Sequence, residues 1–267
     1  MNTDAGVCEV WCVPLAPGDQ IAAPVWAVLS PQEQVRAGRF HHPEDRVAYG
    51  AAHALLRLSL GQAIGQPHVD ALQFSIGPFG KPALQQVTGP QFNLSHCRSM
   101  VCVAVCTQGA VGVDVEPIDR GEAMDMAAVA RDVFTPAEQA QLAACSPAMS
   151  ATFMRLWTLK EAVVKASGAG LSRDLKSFGI ELREDAPILL HRPTLPGPWQ
   201  IDTRVALVQW VCGGHVLALA LAHAGCERPG VQTRLLTLGQ LARWATVDLN
   251  SSGQHCTASR HSSIQLA

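Results

Sequence analysis

"AVGVDVEP", residues 110–117, alternates Val111, Val113 and Val115 with Gly112, Asp114 and Glu116. A period of two places the valines on one face of a β-strand and the two carboxylates on the other. Second neighbours on a strand lie about 6–7 Å apart, so both acids can reach one cation. Gly112 leaves an opening on the acidic face, and Pro117 ends the run. Alone, the stretch also reads as a half-buried strand with a solvated acidic face.

The surrounding sequence alternates helices and strands. "VCEVWCVPL" reads as a strand, and "SPQEQVRAGRF" as a short helix with Ser30 as N-cap, Pro31 first and Glu33 at the capping-box position. "PEDRVAYGAAHALLRLSLGQAIG" is a longer helix, followed by turn signals in "GPFGKP" and the strand pair "QFNLSH" and "MVCVAVC". Beyond residue 117, "FTPAEQAQLAAC" repeats the capping signature with Thr135, Pro136 and Glu138. "ATFMRLWTLKEAVVKASG" is a helix stopped by Gly168 and Gly170. The strand "FGIEL" comes next, and "VALVQWV" and "HVLALALA" flank Gly213-Gly214 as a hairpin.

Each half therefore has a long helix, a strand and two apolar strands joined by a short turn, over about residues 45–106 and 152–222. This predicts an α+β protein of two similar lobes, 1–108 and 109–226, with "GVDVE" at their seam, where ligands tend to bind. Residues 227–267 form a C-terminal extension, expected to be disordered after about residue 249.

Composition narrows the class. A net charge of −2 over 267 residues provides no field to attract nucleic acid, so any polyanion must meet a local cluster. No signal peptide or apolar span of about 18 residues is present, which predicts a cytoplasmic chain without membrane segments. The nine cysteines contain no CxxC pair and read as free thiols in a reducing compartment. Four lysines stand against sixteen arginines, and Lys81, Lys160 and Lys165 fall in the motif-bearing stretches. A compact ammonium suits a site beside phosphate.

On the helix, Trp157, Glu161, Lys165 and Gly168 recur at helical spacing and share a face. Taken alone, Glu161 and Lys165 read as an ordinary intrahelical ion pair, Lys160 as a solvated neighbour and Trp157 as a core anchor. With Asp114 and Glu116, however, Glu161 makes a third carboxylate beside a lysine. That donor set suits Mg²⁺ bound to a pyrophosphate, which a bare acidic trio would repel.

"GVDVE" followed by "WTLKEAVVKASGAGL" resembles the signature pair of the 4′-phosphopantetheinyl transferases, in their long pseudodimeric, surfactin-synthetase-activating form. "RFHHPEDR", "FGKPAL", "FNLSHC" and "FTPAEQ" follow in the family's order, so the resemblance covers about residues 7–225. It implies that Asp114, Glu116 and Glu161 hold Mg²⁺ against the pyrophosphate of coenzyme A, the co-substrate. Glu161, directly or through a metal-bound water, would take the proton from a serine hydroxyl of an apo acyl- or peptidyl-carrier protein, and 3′,5′-ADP would leave. Lys165 would neutralise the phosphates with Lys160 as helper. Lys81, Ser95 and His96 would bind the nucleotide's phosphates, with Arg36 and Arg39 at the family's basic positions.

One departure stands out: the family's basic residue after "ED" is here Ala48, then Tyr49, with Arg46 as the neighbouring charge. The resemblance also implies a monomer that meets its carrier without nucleic acid or membrane. Met124, Met126, Arg120 and Arg131 mark residues 118–134 as the docking surface for an acidic helical partner. Two other readings are weighed. A non-catalytic coenzyme A- or carrier-binding protein would have no need of Asp114, Glu116, Glu161 and Lys165 together, and a metal-dependent phosphodiesterase would leave "NLSH" and "GKP" unexplained.

Overall fold

Residues 6–85, 89–119, 125–145, 149–168, 170, 174–183, 186–190, 204–223 and 230–250 are described by the computed structural model, and they fall into two units. The first holds β1 (Val7–Pro14), α1 (Ala23–Ala27), α2 (Pro31–Ala37), α3 (Pro43–Ile64), most of the hairpin of β2 (Phe74–Ile76) and β3 (Pro82–Leu84), and the pair β4 (Gln91–Cys97) and β5 (Met100–Cys106). The second holds the hairpin tip Ile76–Lys81, β6 (Ala110–Pro117), α4 (Met126–Val133), α5 (Pro136–Ala144), α6 (Met149–Ser167), β7 (Ile180–Glu181), β8 (Ile188–Leu189), β9 (Arg204–Cys212) and β10 (His215–His223). The chain then returns to the first unit with β11 (Gly230–Leu235) and α7 (Leu238–Asn250). Residues 251–267, where disorder was expected, lie outside the described residues. No helix among those described is long and apolar enough to cross a membrane.

In the first unit the sheet order is β11-β1-β5-β4, with β1 antiparallel to β5 and parallel to β11. Alternation along β1 and β5 sends Trp11, Val13, Val101, Val103 and Val105 into a core shared with α3. The opposite face carries four buried free cysteines in two cross-strand pairs, Cys8 opposite Cys106 and Cys12 opposite Cys102.

Both units use the capping box for more than helix entry. Ser30 and Glu33 close the box of α2, and Glu33 also accepts from Arg57 Nε at 2.7 Å and contacts His53 Nδ1 at 3.2 Å. Arg57, on α3, donates to the carbonyls of Val69, Asp70 and Leu72. In the second unit Thr135 and Glu138 close the box of α5. Glu138 pairs with Lys160 Nζ of α6 at 3.0 Å, and Lys160 donates to the carbonyls of Leu175 and Phe178. The long helix of each unit thus sends one buried cation to a capping glutamate and to the chain segment that follows that helix.

The second unit's sheet, β6-β10-β9, is antiparallel throughout. Gly213 and Gly214 at the β9–β10 turn both have positive φ, 55° and 76°, as the two-residue turn requires. In each unit a first strand pairs antiparallel with the second strand of a hairpin, and a long helix lies in the chain between them. The expected repeat is therefore present and starts three elements earlier than its sequence echo, at β1 rather than at the long helix.

Burial alone would raise the Glu33 pKa, but the hydrogen bonds from His53 and Arg57 outweigh it and hold the carboxyl at about 2. A depressed carboxyl pKa stabilises the fold above the unfolded value, about 4.5, and that stability is lost as pH falls through the folded value. Acid titration of unfolding should show a loss on the order of 3 kcal/mol from this group between those limits. Glu33→Gln should be less stable at neutral pH and should flatten the acid slope.

Candidate active site

Strand β6 is buried on both faces. Val111, Val113 and Val115 are essentially inaccessible, and Asp114 on the other face is only 4% exposed. At Asp114 the acidic face is therefore not solvated, Glu116 beside it is half-buried, and Gly112 does not leave an opening. A Cβ on Gly112 would stand 2.1 Å from the Ala162 carbonyl oxygen and 2.3 Å from the Ala166 amide nitrogen. The missing side chain lets the backbone of α6 rest directly on the strand.

That seat brings the helix face carrying Glu161 and Lys165 over Asp114. Lys165 Nζ lies 2.6 Å from Asp114 Oδ1. Burial, then the charge of Asp114, raises the Glu161 pKa; Lys165 opposes this and Glu116 adds to it. Three carboxylates thus face one another within electrostatic reach. Among the described residues, no three His, Cys, Asp or Glu side chains are gathered closely enough to hold a metal ion as they stand. The donor chemistry nonetheless fits a hard divalent cation: all three ligands would be oxygen, and their mutual repulsion is what a cation relieves.

The remaining predicted residues fall into three groups. Lys160, expected to help at the phosphates, is a correction: its side chain is wholly buried with Glu138, and its ammonium lies 4.4 Å from the Phe178 ring. With no exposed surface it meets no ligand, and the pair ties α5, α6 and residues 175–180 together. Lys81, expected beside phosphate, donates instead to the carbonyls of Val111 and Ala166 at 3.0 Å each, and burial pushes its pKa down to about 8.

Ser95, Arg36, Arg39, Arg46 and His96 belong to the first unit. Ser95 is buried and His96 exposed on β4, an edge of its sheet. Arg36, Arg39 and Arg46 are exposed, and the first two line an open depression of about 770 Å³ with Pro31, Gln32, Val35 and Phe40. Ala48 and Tyr49 are buried, at 1% and 4%. Arg98 was missed from sequence: it forms a bidentate pair with Asp45, at 2.7 and 3.1 Å, and this hydrogen bonding holds the Asp45 carboxyl below its ordinary pKa. Of the expected docking surface, Arg120 and Met124 lie outside the described residues. Met126 packs against the core, and Arg131 is exposed on α4.

The sequence profile of the 4′-phosphopantetheinyl transferase superfamily matches residues 110–220, the stretch that builds this site. The 4′-phosphopantetheinyl transferase HetI of Nostoc is 32% identical over 188 residues, which cover 68% of this chain and 77% of its own. The chain belongs to the 4′-phosphopantetheinyl transferase family. Another member, from Bacillus subtilis, is 29% identical over 206 residues, covering 76% of this chain and 88% of its own. Among solved structures, a holo-(acyl-carrier-protein) synthase from Bacillus anthracis in complex with CoA (3′,5′-ADP) covers 43% of this chain and 96% of its own at 17% identity and a TM-score of 0.36, a likeness too distant to argue from.

Strand register explains why only one unit of this family member carries the carboxylates. Pro14 pairs with Met100 as Pro117 pairs with His215, each opposite the first residue of the hairpin's second strand. Counting back, Trp11 and Val13 occupy the places of Asp114 and Glu116, and Glu9 that of Gly112. The buried cations Arg57 and Lys160 are also equivalent, which sets Leu58, 1% exposed, at the place of Glu161. The first unit fills with hydrocarbon the positions where the second puts its three carboxylates.

Gly112→Ala should lift α6 from β6, because the clashing atoms are backbone and cannot rotate away. Chemical denaturation should show a loss of about 3 kcal/mol or more. A stability within experimental error of the parent would mean the helix does not rest on this glycine.

Proposed function

We propose that this chain transfers the 4′-phosphopantetheine arm of coenzyme A to a serine hydroxyl of an apo acyl- or peptidyl-carrier protein, releasing 3′,5′-ADP. The observation that carries the reading is the meeting of Asp114 and Glu116 on β6 with Glu161 and Lys165 on α6, in a member of this family. Held by Asp114, Glu116 and Glu161, Mg²⁺ would neutralise pyrophosphate charge and polarise the phosphorus under attack.

The chain's own residues supply the proton chemistry. A serine hydroxyl is a poor nucleophile at neutral pH and needs a base within hydrogen-bond reach. Glu161 is the proposed base: burial and its acidic neighbours raise its pKa in the metal-free protein, and a cation held among the three carboxylates would draw it back down, so its role rests on its place beside Asp114 and Glu116. The serine oxygen bonds to the phosphorus bearing the pantetheine arm as the bond from that phosphorus to the ADP oxygen breaks. The hydroxyl proton passes to Glu161. Lys165, paired with Asp114 and 27% exposed, is the proposed cation for the phosphate oxygens. Arg36, Arg39, Arg46, Ser95 and His96 are the proposed nucleotide contacts, and Lys160 drops out of that set. The carrier is proposed to dock on residues 118–134, with Arg131 as its exposed cation, and the proposed working form is a cytoplasmic monomer.

Incubation with coenzyme A, Mg²⁺ and a purified apo carrier tests the reading. A mass gain on the carrier supports transfer, 3′,5′-ADP without a gain means hydrolysis, and no change means binding alone. Glu161→Gln should lower transfer by about 100-fold or more. It should also raise the melting temperature of the metal-free protein, since it removes one of three repelling charges; full activity would refute the role.

Docking is tested separately. Arg131→Glu should raise KM for the carrier by about fivefold or more and spare KM for coenzyme A. Equal effects on both would place the carrier elsewhere.

A further inference from the structure

Helix α6 and strand β6 are held together at one end by a residue from neither element. Lys81, at the base of the hairpin tip Ile76–Lys81, extends its ammonium to two backbone carbonyls, Val111 O on β6 and Ala166 O on α6, each at 3.0 Å. Ala166 lies in the last turn of α6, where carbonyls lack partners within the helix and favour a cation. Val111 adjoins Gly112, the seat of the helix, on a strand that forms the edge of its sheet. The lysine therefore bridges strand and helix one residue from their closest approach.

The surrounding backbone is shaped to admit it. Gly168 and Gly170, just beyond α6, have φ of 68° and 62°. A Cβ on Gly168 would stand 3.3 Å from Lys81 Cδ, and one on Gly170 would stand 2.8 Å from the Phe79 carbonyl oxygen. The hairpin tip is closed by hydrogen bonds from Gly77 N to Lys81 O and from Gly80 N to Gly77 O. Gly168 and Gly170 at the helix exit thus fit against the "GPFGK" of the hairpin, Gly168 against the Lys81 stem and Gly170 against the Phe79 carbonyl.

We infer that Lys81 is a positioning residue for transfer: by bridging Val111 O and Ala166 O it fixes how far Asp114 and Glu116 on β6 stand from Glu161 and Lys165 on α6. This rests on the proposed transfer reaction but replaces the phosphate-contact role expected for Lys81. Asp114 lies three residues from Val111, and Lys165 is adjacent to Ala166, so slippage at the bridge alters the carboxylate spacing directly. An ammonium already bonded to two carbonyls and largely withdrawn from water is a poor first contact for an incoming nucleotide.

The test compares Lys81→Met, which keeps the stem and loses the donors, with Lys81→Gln, which keeps an N–H donor without the charge. Steady-state transfer, half-saturation by Mg²⁺ and calorimetric binding of 3′,5′-ADP are measured on each and on the parent. For Lys81→Met, kcat should fall about tenfold to a hundredfold and the half-saturating Mg²⁺ concentration should rise, with KM for coenzyme A within about twofold. Affinity for 3′,5′-ADP should be unchanged, and Lys81→Gln should recover part of kcat.

A rise of about tenfold in KM for coenzyme A, or an equal loss of 3′,5′-ADP affinity, in either variant would overturn the inference and make Lys81 a phosphate ligand. Unchanged kcat in Lys81→Met would overturn it as well. If Lys81→Met does not fold, Lys81→Gln decides: reduced kcat with unchanged 3′,5′-ADP affinity supports positioning, and any other pattern overturns it. A parent protein that transfers nothing to any apo carrier would instead defeat the transfer reading, while the nucleotide-binding arm still tests Lys81 as a phosphate contact.

Discussion

The site depends on a close approach between two backbones. Helices usually pack on sheets through interdigitating side chains, which keeps their axes apart. At Gly112 that layer is missing, and the strand meets the main chain of α6 at Ala162 and Ala166. Short side chains on one element can then reach those on the other, which is how Asp114 comes within 2.6 Å of a lysine on the helix. Glu161, one residue from Ala162, is drawn under the same constraint into the field of Asp114 and Glu116. The energetic cost of crowding acids falls on the metal-free protein, and Lys165 offsets part of it.

Around this contact the fold is stiffened by charge that performs no chemistry. Glu138 and Lys160 are both fully buried, yet their polar atoms are taken up by each other, by the Thr135 and Ile180 amides and by the Leu175 and Phe178 carbonyls. A buried ion pair is tolerable when such partners are supplied, and it then admits one geometry rather than many. Arg57 and Glu33 repeat the arrangement in the first unit. Two copies of one supporting frame therefore carry very different interiors: one is lined with Trp11, Val13 and Leu58, the other with acids.

Much of this was legible in the sequence because it is local. The strand at 110–117, both capping boxes, the long helices and the Gly213-Gly214 hairpin follow from periodicity and turn chemistry within a few residues. Lys160 was misread although the signal was present: on the helix its neighbours at three and four residues are Leu156, Trp157, Val163 and Val164, an apolar face that turns a lysine inward. What stayed hidden involves partners distant in the chain. Nothing near Lys81 announces that its targets are carbonyls 30 and 85 residues further on. Gly112 looked like a gap because a strand pattern says where a side chain is absent, not what fills the space. Arg98 escaped notice because its partner Asp45 lies 53 residues earlier.

The parallel pairing of β1 with β11 bears on how the molecule is made. Val7 to Cys12 match Gly230 to Leu235 rung for rung, so β1 receives its neighbour β11 only after the second unit between them has been translated. The segment from Gly109 onward builds its own sheet from consecutive elements, needing only the hairpin tip that has already been translated. On the ribosome, the acid-bearing half can therefore be complete while the half translated first still has an open sheet edge, an order opposite to that of synthesis.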